Sequence, residues 1–274
     1  MKIDGANIIR LDDGSVCWRN GAPFAADADG SPHAYAPAGS SLVGLDYLGN
    51  ATKDPRTPVS KQSPIRWVGV VTRDGTETGA PVIQGPGDPA PGYYVSPTSL
   101  HNPDLPRTDP LRYVNAEQVP FLAIGSRALP QLGLKLGDLG WVIDTHDGAQ
   151  VGVIVADVAP SDHLREGSIA LLRALGWPGN PKGGPAPPPG RLAIVAWPGS
   201  VAVPAYPRDV AGDARARFRA WGGVERARKV FELPELPDGE IVEPEADAAR
   251  SARVWWWVAG GVAVLVVVWL AVRR

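Results

Sequence analysis

Gln150-Val151-Gly152-Val153-Ile154-Val155-Ala156-Asp157 is the stretch that decides the architecture. It is short, β-branched, apolar throughout, and it stops at a charge, as a strand buried on both faces does. Other segments of the same kind are Leu192–Trp197, Leu139–Asp144, Val119–Gly125, Gly92–Ser96 and Ile65–Val71, each bounded by Gly, Pro or Asp. Val16 and Cys17 lie in a further strand-like stretch. Gly (32) and Pro (29) make up more than a fifth of the 274 residues, which favours loops and short strands over long helices. One helix is predicted among the strands: Ser168 caps it, Ile169, Leu172 and Leu175 share a face, and Gly176 ends it. The expected fold over residues 1–201 is mainly β, with a few short helices.

The rest of the chain differs in composition. Asp209 to Glu232 is rich in Arg and Ala, with Phe218, Trp221, Val224 and Phe231 spaced among the charges. It predicts amphipathic helices broken at Gly222-Gly223, packed on the main domain or laid on phospholipid. Leu233 to Asp247 is acidic and Pro-rich and reads as a stiff linker, so residues 202–251 form a connecting region. Val254 to Val272 is uncharged and bracketed by Arg253 and Arg273, with Trp255, Trp256 and Trp257 at one end and Trp269 near the other. At about 1.5 Å per residue it matches the hydrocarbon thickness of a bilayer. Residues 252–274 are therefore expected to be a single-pass C-terminal membrane anchor. The first residues lack a signal-like apolar run. The domain is nonetheless expected to face the envelope or exterior, by a route other than a cleaved signal peptide.

The formal net charge is −2, with both signs spread along the chain, which excludes a nucleic-acid-binding surface. The single cysteine, Cys17, excludes an internal disulfide and reads as a small buried hydrophobe. His33, His101, His146 and His163 form no ligand pair, and no phosphate-cradling glycine loop precedes a helix. Neither a metal nor a cofactor is expected.

The carboxylates carry the chemistry. Asp157 ends a strand, and Val158-Ala159-Pro160-Ser161-Asp162-His163-Leu164-Arg165 leads to Glu166 at the start of the helix. The two can face one cleft as an acid and a base, the pair that glycosidic hydrolysis needs. They can equally be a solubilising strand end and a residue that satisfies the helix dipole. Asp27-Ala28-Asp29-Gly30 has the start of a calcium loop but no closing Glu, which leaves a turn held by Asx hydrogen bonds or a ligand-binding pair.

Taken together, these stretches resemble glycoside hydrolase family 75, the chitosanases. Asp27-Ala28-Asp29-Gly30 resembles the end of the family's Asp-rich signature, and Val119-Pro120-Phe121 its Val-Pro-aromatic strand. Gly137-Asp138-Leu139 resembles its Gly-Asp stretch leading into a strand, and Pro198-Gly199-Ser200 its closing motif. Asp157-Val158-Ala159-Pro160 followed by Arg165-Glu166-Gly167-Ser168 resembles its catalytic segment. The resemblance covers residues 8–200. It implies an inverting endo-glycosidase with Asp157 and Glu166 as catalytic pair, an all-β core akin to a six-stranded double-psi barrel, and β-linked amino-sugar polymers such as chitosan as substrate. Asp27 and Asp29 are then expected to bind that substrate. Ala25, Ala159 and Arg165 depart from the family pattern and leave open a partly acetylated polymer, including peptidoglycan strands handled by a delivered effector or lysis protein. A non-catalytic glycan-binding module on the same fold is the remaining alternative.

Overall fold

The structure is a computed structural model in which residues 1–233 are described. The linker beyond Leu233 and the Val254–Val272 span lie outside the described residues. Among the described residues no helix is long and apolar enough to cross a membrane.

In chain order the strands are β1 (Lys2–Ile3), β2 (Ala6–Asn7), β3 (Ile9–Arg10), β4 (Val16–Arg19), β5 (Ala25–Asp27), β6 (Phe121–Ala123), β7 (Leu139–Asp144), β8 (Gln150–Asp157), β9 (Glu166–Ser168) and β10 (Leu192–Trp197). The α-helices are α1 (Ala128–Leu132), α2 (Ile169–Ala174), α3 (Val210–Trp221) and α4 (Gly223–Phe231). Apart from the β1–β2 hairpin, the strands form one mixed eight-stranded sheet in the order β3-β4-β10-β7-β8-β6-β9-β5. Its first half is antiparallel; β6 runs parallel to β8, and β5 parallel to β9.

The apolar runs of β7, β8 and β10 are explained by burial on both faces. Val151, Val153 and Val155 of β8 and Leu192 and Ile194 of β10 face one core, where Trp18, Leu171 and Leu172 pack. Ile154, Val195 and Trp141 face a second core that contains Val210, Ala214, Phe218 and Trp221 of α3. The α3 helix thus closes one side of the sheet. Phe218 stacks on Trp141 with centroids 4.6 Å apart, and Trp221 Nε1 donates to Ser15 Oγ at 2.9 Å. Gly152 permits this approach: a Cβ there would lie 2.6 Å from that of Ala214. The amphipathic segment therefore packs on the domain, and its break falls at Gly222, where φ is +117°.

Two expectations are corrected. The sheet is open and does not close as a barrel, because β3 and β5 pair on one side only. The edge strands have two and three residues, too short for a second ladder, and irregular chain occupies their flanks. Phe24 N–H, for example, donates to Pro187 O, and Arg10 reaches the carbonyl of Leu132 at the end of α1. Second, Ile65–Val71 and Gly92–Ser96 are not ladder strands. They contribute isolated bridges, Thr52 with Trp67 and Ile83 with Tyr94, within a long excursion between β5 and β6. N–H groups there are paired singly, Val71 to Val95 O, Val82 to Val71 O and Val95 to Val82 O, rather than along a continuous ladder, and the turns between these residues are rich in Pro and Gly. The excursion has its own small core around Tyr35, Trp67, Val70 and Tyr94 and forms one wall of the cleft described next.

Candidate active site

Glu166 is the first residue of β9 rather than of α2; the helix begins after Ser168, whose hydroxyl accepts from Leu171 N–H at 3.1 Å. In the sheet, Ala123 of β6 is in register with Asp157 of β8 on one side and with Glu166 of β9 on the other. Ala25 of β5 is in register with Glu166 beyond it. Residues in register share a face, so the two acids stand on one surface with only methyl groups between and beside them. Two strand spacings set their Cα atoms about 9–10 Å apart.

A one-residue irregularity makes this possible. Along β6 and β8 the register runs Leu122 with Val155 and then Ala123 with Asp157, so Ala156 is an extra residue. In an unbroken ladder Asp157 would follow the inward alternation of Val153 and Val155; the bulge turns it to the face of Ala123.

Above this face lies a cleft of about 800 Å³. Asp27, Asp29, Asp46, Asp157 and Glu166 all line it, with Tyr35, Ser99 and His163. Asp27 is the last residue of β5, in register with Ser168. Its Oδ1 accepts Asp29 N–H at 2.8 Å, the Asx turn of the Asp-x-Asp-Gly segment, while both side chains line the cleft. Gly30 completes the turn at φ +80°, where any Cβ would strike Val114 O at 2.1 Å. Asp29 accepts from Ser96 Oγ at 3.0 Å and from the Tyr35 hydroxyl. Asp27, Asp29 and Asp157 each bring one oxygen within 4.8 Å of the others, a spacing that suits a cation.

The acids are not equivalent. Burial, reinforced by neighbouring carboxylates, pushes Asp27 and Asp29 well above the ordinary carboxylate range. Burial also raises Asp157, but three donors oppose it: Ser99 N–H at 2.9 Å, Ser99 Oγ at 2.6 Å and Val158 N–H at 2.8 Å, all on Oδ1. Glu166 receives no hydrogen bond among the described residues. Burial first, then the charges of Asp157 and Asp46, push it up to about 7, with Arg165 opposing. Arg165 is drawn aside by Asp4, whose Oδ2 lies 3.0 Å from its Nε.

The chain matches no protein-family model and no curated protein sequence. All four acids singled out in the sequence, Asp27, Asp29, Asp157 and Glu166, line this one cleft. Of the four histidines only His163 does so; His33 pairs with Glu117 at 3.0 Å and His101 meets Ser99 O at 3.0 Å. Cys17 is buried in β4, its thiol pushed up to about 12. Sequence reasoning missed Asp46, Tyr35, Ser96 and Ser99. Ser96 ends a stretch that reads as a strand and no motif marks the other three; the fold of the long excursion carries Tyr35, Asp46 and Ser99 to the cleft and Ser96 to Asp29.

Proposed function

We propose that the domain is a chitosanase-like glycoside hydrolase that cleaves β-linked amino-sugar polymers with inversion, similar to family 75. The observation that carries the reading is the placement across Ala123 of two carboxyl groups in unequal surroundings, Asp157 holding three donors and Glu166 none among the described residues. Glu166, raised to about 7, is the general acid and protonates the leaving oxygen. Asp157, held by three donors, is the base that activates water. Strands two spacings apart, with a methyl group between, leave room for that water, as inverting enzymes require. Composition makes residues 1–200 only mildly acidic, but the acidity is gathered in the cleft, where five carboxyl groups face one lysine, Lys53. A polymer of protonated amino sugars suits such a lining: an arriving ammonium group supplies the positive charge that the crowded carboxyls lack, and Asp27 and Asp29 ionise as they take it. The Val254–Val272 segment tethers the domain to a bilayer in this reading.

The test is product analysis. The full chain is incubated with chitosans of graded acetylation and with purified peptidoglycan, and the released oligosaccharides and their anomers are identified. The expected outcome is oligosaccharide release from deacetylated chitosan with inverted fresh ends. Retained configuration removes the mechanism, and release from no polymer removes the enzyme reading.

A further inference from the structure

The cleft continues past the base. Beyond Ser99 it opens into a second hollow of about 360 Å³, and Val68, Pro97, Thr98 and Ser99 line both parts. The charge reverses across this divide. The second hollow is lined by Arg107, Arg112 and His101. Its one carboxylate, Glu77, is already engaged by Lys53 and by Arg66, the latter at 2.9 Å. The two guanidinium groups are fixed in place by neutral acceptors. Arg107 Nη2 donates to Thr72 O at 2.5 Å, and Arg112 Nη1 donates to Leu105 O and, at 3.4 Å, to Pro103 O. Backbone carbonyls orient a cation without cancelling its charge. Asp74, beside the hollow, offsets part of the charge of Arg107, so the hollow disfavours an ammonium group chiefly through Arg112 while both guanidinium groups offer N–H donors to a carbonyl oxygen.

We propose that this hollow is a subsite for a sugar unit without an ammonium group, an N-acetylated unit of the same polymer. The bound chain then presents amine-bearing units to the acidic part and an acetylated unit beyond Ser99. The inference rests on the glycosidase reading and adds a pattern requirement to it: the preferred substrate is partly acetylated, with its acetyl group at a fixed distance from the cut.

Two measurements test it. The first sequences the fragments that the full chain releases from partly acetylated chitosan. Acetylated units should be enriched at one fixed position relative to the new end. In the Arg107→Gln/Arg112→Gln double variant, in which amides replace both charged donors, the enrichment should fall about threefold, the size expected of partly exposed charge effects. Random composition at every position, or an unchanged pattern in the variant, overturns the subsite. The second is binding to the Glu166→Gln variant followed by backbone amide shifts. The N,N′-diacetylated disaccharide of glucosamine should move Thr76, His101 and Arg112, whereas the unacetylated disaccharide should not. Equal or reversed responses overturn the proposal. Selective binding without any hydrolysis leaves the subsite standing and removes the glycosidase reading; hydrolysis without selective binding does the reverse.

Discussion

Glu166 holds its proton up to about pH 7 because its carboxyl is buried near Asp157 and Asp46 and receives no donor among the described residues. Two consequences follow for experiment. As an acid with a pKa of about 7 it should lose activity as pH rises through 7, and Glu166→Gln and Asp157→Asn should each lower kcat by at least about a hundredfold. Steady-state kinetics on the best glycan checks this; near-normal rates in both variants would remove the assignment. The second consequence concerns stability. A carboxyl whose folded pKa lies above its unfolded value of 4.5 binds more protons in the native state. Its contribution is fully present below 4.5 and is lost as pH rises through about 7. The wild-type Tm should therefore fall between pH 5 and 8, and Glu166→Gln should flatten that slope and melt higher at pH 8. A variant that melts lower at pH 8 would show that the ionised carboxylate stabilises the fold.

Among the elements, β7 and β10 have the bounds that their sequences suggest, because strands buried on both faces have little choice but to be apolar until a charge, as at Asp144, or a proline, as at Pro198, ends them. The pairing of Asp157 with Glu166 across a short loop was legible for the same reason, since a strand end fixes where the first carboxylate sits. The bulge at Ala156 was not, because an extra residue in a continuous apolar run leaves no break in the pattern. Nor were Asp46 and Ser99, whose places depend on contacts between distant segments. The α3 helix gives the test at this scale. Phe218 is buried against Trp141, so Phe218→Ala should lower unfolding stability by about 3–5 kcal/mol, and Phe218→Leu by clearly less. Urea denaturation measures both. Equal, small losses would mean that α3 is a passive cover.

At the scale of the whole molecule, Arg226 of α4 is 2.6 Å from Asp13, and Arg19 of β4 donates to Phe231 O at 2.6 Å. The helices at the end of the described chain are thus tied to its first strands. A protein stopped at Ser200 loses the cover of Trp141 and should aggregate or unfold, whereas one stopped after Leu233 should keep the melting behaviour of the full chain. Calorimetry on both decides it. In the proposed topology an alkaline carbonate wash should also separate them, releasing the chain stopped after Leu233 and leaving the full chain in the membrane pellet. Release of both would remove the anchor.

The strand order also has a consequence in time. β10, the last strand among the described residues, lies between β4 and β7, and its Ala193 is the partner of Arg19. A ribosome that has produced everything up to Arg191 has made both carboxylates of the cleft, but the sheet is still in two pieces, with an empty lane down its middle. Contacts that span nearly the whole domain make for slow folding. Synthesis itself therefore acts as a clock on this protein: the cleft gains its rigid floor only when the final strand slides into its lane.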